Sequence, residues 1–248
     1  MTFLYWVLKA IFYIILKVFY RFEVIGSENI PEEGGVIVAA NHVSYLDPPV
    51  IGAALKRRAT FMAREGLFKI PIIGGFIRSF SFPVRRGRPQ PSTIKEAVQR
   101  LKRGELLVMF PEGGRSSDGS PLDAKRGIGM IAAMSRMPVV PTCIKGTEEA
   151  LPVGAKFLRP ARITVIFDKP IEIDRQAADK HFQEMASRDI MEKIRNLQFK
   201  GEKQRPCCKV SLISPPLMGG DKGEGEEITP PRPYPSPVKG EGLSDTLQ

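Results

Sequence analysis

The residues with the clearest chemical potential are His42 and Asp47, within Asn41-His-Val-Ser-Tyr-Leu-Asp-Pro48. The apolar run Val36–Ala40 stops at this polar cluster, and a helix is expected to begin near Pro48. Five residues of regular helix would put the two side chains on different faces. A turn folds them together, so that Asp47 accepts a hydrogen bond from one imidazole nitrogen and the other nitrogen acts as a base. That is two-thirds of a catalytic triad without its serine, cysteine or threonine nucleophile. A substrate that brings its own hydroxyl needs none.

A second cluster is Phe110-Pro-Glu-Gly-Gly-Arg-Ser116, which follows the apolar run Leu106–Met109. Gly113 and Gly114 let the backbone approach a ligand, and Arg115 suits a phosphate held through two parallel hydrogen bonds. Glu112 suits substrate hydroxyls or the positioning of an arginine. Between the clusters lies Gly66–Gly87, apolar at first, with Pro71 and Gly74-Gly75, and closing a short strand at Arg85 and Arg86. Arg64, Arg78, Arg88, Lys125 and Arg126 add further cationic groups. A single arginine is more commonly a solvated surface charge, so each of these is weak evidence alone.

Several elements must position these groups. Strand-length apolar runs at 36–40, 59–63, 106–110, 139–144 and 163–167 alternate with helical patterns at 92–103, 127–136 and 179–197. The alternation predicts an α/β fold with a largely parallel or mixed sheet flanked by helices, and open sheets of this kind place ligands at the carboxyl ends of their strands. Phe3–Tyr20 is almost wholly apolar and aromatic and lacks a signal-peptide cleavage site. Lys9, Tyr13, Lys17 and Arg21 recur every four residues as a polar stripe, which favours a helix (residues 1–21) lying in a membrane interface over a tilted single span. Residues 201–248 are dominated by Pro, Gly, Ser and charge and are expected to be a disordered tail, leaving one folded domain over 22–200.

The formal charge of +10 suggests a polyanionic partner. The tail carries six Lys or Arg against seven Asp or Glu, a net of −1 that leaves +11 on residues 1–200. Two histidines and three cysteines without ligand spacing argue against a metal site, and the cysteines form no disulfide framework. No cofactor is expected. Nucleic-acid motifs and aromatic–basic stacking platforms are lacking, so no nucleic-acid partner is expected.

Taken in order, the blocks resemble those of the PlsC-like 1-acyl-sn-glycerol-3-phosphate acyltransferases. Residues 41–47 resemble the family's histidine–four residues–aspartate (HX4D) block. Residues 110–116 resemble its phenylalanine–proline–glutamate–glycine block, Ile70–Arg86 its arginine-bearing block, and Val140-Pro141 its fourth. Gly114 departs from the family's usual threonine. The resemblance implies a membrane enzyme of phospholipid biosynthesis, on the cytoplasmic face of the cell membrane. It would acylate the sn-2 hydroxyl of lysophosphatidic acid from acyl-CoA or acyl-ACP, giving phosphatidic acid. His42 and Asp47 would be catalytic. Arg86, with Arg85 second, Glu112, Gly113, Arg115 and Lys125 would hold substrate, and the surface would carry anionic lipids. The alternatives are another lysolipid acceptor, a hydrolase acting on esters or thioesters, and, in a different class, a non-catalytic membrane-surface or nucleic-acid-binding protein.

Overall fold

The computed structural model describes residues 2–71, 73–85, 90–114, 123–173 and 179–200. The chain divides into two units, Met1–Pro206 and Cys207–Gln248. The expected disordered tail, residues 201–248, lies outside the described residues, as do Arg86 and Arg115.

Strands β1 (Glu23–Ile25), β2 (Val36–Ala40), β3 (Ala59–Arg64), β4 (Ser81–Val84), β5 (Leu106–Met109), β6 (Val139–Lys145) and β7 (Thr164–Phe167) form one sheet in the order β1-β7-β6-β2-β5-β3-β4. The five strands from β6 to β4 are parallel, β7 runs antiparallel to β6, and β1 is parallel to β7. The mixed sheet matches the expected class. The helices are α1 (Thr2–Tyr20), α2 (Asp47–Ala54), α3 (Ile73–Ile77), α4 (Pro91–Lys102), α5 (Gly127–Ser135), α6 (Thr147–Ala150) and α7 (Lys180–Lys200).

All five residues of β2 are buried, because a central parallel strand is covered on both faces. Its side chains alternate between two cores. Val36, Val38 and Ala40 pack with Leu16 and Tyr20 of α1 and Val50 and Ile51 of α2. Ile37 and Ala39 pack with Ile94 and Leu101 of α4, Ile128 and Ile131 of α5, and Ile190 and Ile194 of α7. At the amino edge, the Arg57 guanidinium donates to the carbonyls of Pro31, Gly34 and Gly104, joining the segments that enter β2 and β5.

Helix α1 departs from its expected arrangement. Lys9 is not turned outward with Lys17: it lies on the inner line with Tyr5, Leu16 and Tyr20, and its ammonium donates to the Leu55 carbonyl at the end of α2. The inner position is set by the spacing Tyr5-Lys9-Phe12-Leu16-Tyr20, which fits the stripe that meets the core better than the four-residue polar repeat does. Leu8, Ile11, Ile14, Ile15, Val18 and Phe19 face outward, the last two 66% and 68% exposed. Among the described residues, no helix is long and apolar enough to cross a membrane.

Burial lowers the Lys9 pKa from 10.5 to about 8. The folded chain therefore binds fewer protons here than the unfolded chain between these values, so stability should rise with pH across that window. The ammonium keeps considerable solvent contact, which makes the effect modest. Urea midpoints at pH 7, 8.5 and 9.5 are expected to climb for the native chain relative to Lys9→Met. A constant difference between the two would show that Lys9 keeps its ordinary titration.

Candidate active site

Because β2, β3, β4, β5 and β6 are parallel, the residues that follow them emerge on one edge of the sheet. Those after β2 form a turn dense in hydrogen bonds. Asn41 fixes the exit: its amide nitrogen donates to the Ile144 carbonyl (2.9 Å) and its oxygen accepts the Ile144 N–H (2.7 Å). The chain then turns around Asp47, the first residue of α2, where the helix dipole favours a carboxylate.

Asp47 is fully buried. Its Oδ2 lies 2.9 Å from His42 Nδ1 and accepts the N–H groups of Val43 and Ser44, each at 2.8 Å. Its Oδ1 accepts the Thr147 hydroxyl at 2.6 Å. An ionised carboxylate accepts only, so Nδ1 is the protonated nitrogen and the lone pair falls on Nε2. The His42 side chain retains 16% exposure. Its ring stacks on Phe110, with centroids 4.2 Å apart and planes at 23°. These contacts fix both the tautomer and the plane of the ring and leave an edge that solvent reaches.

Glu112, expected to face the substrate, is 2% exposed, and its Oε1 accepts the His42 backbone N–H at 3.0 Å. The turn after β5 thus braces the turn after β2. Gly113 continues it at φ 66°, a conformation that side chains rarely adopt, and the Lys125 side chain lies over it, its Cδ 2.7 Å from where a Cβ would stand. Lys125 also donates its backbone N–H to the Pro111 carbonyl at 2.9 Å. Glu112, Gly113 and Lys125 are therefore gathered along the turn that braces His42.

Arg85 is not. It follows the edge strand β4, three strands from β2, or roughly 14 Å at the usual strand spacing. There it pairs with Glu65 at 2.7 Å, and that guanidinium holds the Glu65 carboxyl below its usual range. A cavity of about 660 Å³ opens at this end, its wall mixing charged Glu65, Lys69, Arg78, Glu96 and Arg100 with apolar Phe68, Phe82 and Pro83.

Ser44, the nearest hydroxyl in sequence, is buried and donates to the Leu151 carbonyl at 3.0 Å. It serves the turn and does not face His42 as a nucleophile. Among the described residues, no group of three His, Cys, Asp or Glu could hold a metal. Cys143 is buried, which raises its thiol pKa to about 12 and keeps it protonated.

Two contributors escaped the sequence reading. Thr147 lies 100 residues from Asp47. Its signal was the glycine before it: Gly146 sits at φ 83° where β6 ends, and a Cβ there would stand 2.0 Å from the Arg162 carbonyl oxygen. Phe110 read as the end of a strand, and only the neighbouring of β2 and β5 reveals it as the surface beneath the imidazole.

An acyltransferase family model matches residues 21–145. The 1-acyl-sn-glycerol-3-phosphate acyltransferase of Bacillus subtilis (strain 168) is 33% identical over 151 residues, 60% of this chain and 73% of that protein. A chloroplastic 1-acyl-sn-glycerol-3-phosphate acyltransferase of Arabidopsis thaliana is 34% identical over 158 residues, 62% of this chain but 44% of its own length. The crystal structure of the 1-acyl-sn-glycerophosphate acyltransferase PlsC from Thermotoga maritima is similar with a TM-score of 0.61 and 31% identity, covering 73% of each chain.

Proposed function

Because the chain belongs to the PlsC-like 1-acyl-sn-glycerol-3-phosphate acyltransferase family, we propose that it transfers an acyl group from a thioester to the free sn-2 hydroxyl of 1-acyl-sn-glycerol-3-phosphate, giving phosphatidic acid. The observation that carries the mechanism is the buried Asp47 carboxylate against His42 Nδ1, with the one adjacent serine committed to a backbone carbonyl. A base so oriented, with no nucleophile beside it among the described residues, suits a substrate that supplies its own hydroxyl.

His42 Nε2 takes the proton of that hydroxyl as the oxygen attacks the thioester carbonyl. Collapse of the tetrahedral intermediate breaks the carbon–sulfur bond, and the imidazolium returns its proton to the departing thiolate. Asp47 stabilises the imidazolium. General-base assistance of this kind contributes about 10²–10⁴-fold, and holding both substrates in register can contribute more. The donor is acyl-CoA or acyl-ACP, and no cofactor takes part.

Arg86 and Arg115 hold the phosphate, aided by Lys125 and the exposed turn at Gly113, with Arg85 reserved for a more distant part of the ligand. Glu112 contributes by setting the His42 backbone. The activity resides in residues 22–200, and α1 rests its outward apolar face in the cytoplasmic surface of an anionic membrane. The sorting experiment offers purified enzyme a panel of lysolipids with each thioester donor and follows which lipid gains an acyl chain. Preferential conversion of lysophosphatidic acid is expected. Preference for a lysolipid without a phosphomonoester would move the assignment to another acceptor.

A further inference from the structure

The segment Leu151-Pro-Val-Gly-Ala-Lys-Phe-Leu-Arg-Pro-Ala-Arg162 links the candidate active site to the end of α1. At its start, the Leu151 carbonyl accepts the Ser44 hydroxyl and the Leu151 N–H donates to the Thr147 carbonyl. At its end, Ala161 packs on the core shared with α1, and the Ile163 N–H donates to the Tyr20 carbonyl at 3.0 Å. The neck is closed by Arg159 N–H to the Ala150 carbonyl at 2.8 Å, and a turn bond joins Ala155 to Pro152. Both ends of the loop are thus fixed, yet its tip presents apolar side chains to solvent. Phe157 is 82% exposed, Leu158 56% and Val153 49%.

One exposed apolar residue requires no explanation. Three within six positions, interleaved with the exposed Lys156 and Arg159, form a different pattern. Arg162 is committed to Glu23 at 2.8 Å. Aromatic and aliphatic groups beside cationic ones match the boundary between acyl chains and anionic headgroups. Through the Tyr20–Ile163 bond, the loop adjoins the end of α1 that bears outward-facing Val18 and Phe19.

We propose that residues 153–159 are a second bilayer contact, in which Phe157 and Leu158 enter the headgroup boundary and Lys156 and Arg159 meet anionic lipid. This rests on the reading of the substrate as a membrane lipid. The contact fixes the rotation of the domain about α1: a single helix would let the body roll on the surface, whereas a helix and a loop hold the His42 turn, on which the loop is tethered, at the lipid. An acidic carrier protein is the less fitting occupant, since it would leave the three outward apolar side chains without a greasy medium.

The full chain carrying Trp6→Phe and Phe157→Trp has one indole, placed at the loop tip. With phosphatidylcholine vesicles containing phosphatidylglycerol, its emission is expected to shift blue and to be quenched by lipids brominated on the acyl chain. Lys156→Ala and Arg159→Ala should each weaken vesicle partition about fivefold. Phe157→Ser in the native background should weaken it on the order of tenfold. Quenching of the native Trp6 without quenching at position 157 would overturn the proposal, because α1 would then be bound while the loop faces water. A shift at position 157 caused by acyl carrier protein or by protein concentration, and not by vesicles, would also overturn it and identify another occupant. Acylation of lysophosphatidic acid by the unmodified chain in detergent micelles is measured alongside. Its absence would sink the acyl-transfer assignment and leave the quenching result to be read independently.

Discussion

The His42→Ala protein is expected to fold and to lose acyl transfer by about 10²–10⁴-fold, the usual worth of a positioned general base. The structural cost is small for identifiable reasons. The ring touches solvent and covers one face of Phe110, and the bond from the His42 backbone N–H to Glu112 does not depend on the side chain. Asp47 keeps Val43 N–H, Ser44 N–H and the Thr147 hydroxyl. A thermal melt close to native, together with loss of phosphatidic acid formation, is the expected pair of results. A melt and a rate both close to native would show that the proton leaves by another route.

Asp47 is expected to behave differently, because one side chain carries both the catalytic and the structural work. Asp47→Ala leaves the buried Val43 and Ser44 amides without their acceptor. Unsatisfied buried donors cost about 1–3 kcal/mol each, so these two take on the order of 2–6 kcal/mol from a typical total of about 5–15. This variant should melt far below the native protein or fail to fold. Asp47→Asn keeps an oxygen for the two amides and can offer its NH2 to the Thr147 hydroxyl. It should stay folded, but it cannot neutralise an imidazolium, and a loss within the about 10²–10⁴-fold worth of the base itself is the expected scale. Thr147→Val removes only the bond to Oδ1 and should melt between the native protein and Asp47→Ala. The three melts and the Asp47→Asn rate check the argument together. A near-native melt for Asp47→Ala would mean that water replaces the carboxylate, and the turn would then owe little to it.

The parts of this site written in contiguous residues were legible in the sequence. The strand Val36–Ala40 announces itself by an apolar run, the turn by His42 and Asp47, and α4 by the helical pattern at 92–103, although the helix starts one residue earlier, at Pro91. What was not legible depends on strand order, which no local pattern encodes. Only the order β6-β2-β5 brings Thr147 and Glu112 to the His42 turn, and only the edge position of β4 removes Arg85 from it. The reversal of β7 is equally hidden, since an apolar run has no direction. Lys9 misled for another reason. A lysine reads as outward-facing, yet the unsatisfied carbonyl at the end of α2 gives an ammonium a partner beneath the helix.

The Arg57 fork has a bearing on how relatives of this protein can be recombined. Its guanidinium joins Gly34, just before β2, to Gly104, just before β5, and those two strands deliver the His42 and Glu112 turns at their opposite ends. A slip of one residue between strands sends every following side chain to the other face. The fork therefore acts as an alignment pin at the far side of the sheet from the chemistry. A chimera that exchanges only the blocks at 41–47 and 110–116 transplants the reacting groups without the pin. One that carries residues 31–57 and 104–112 together keeps the two strands in phase, and so inherits the distance between histidine and glutamate as well as their identities.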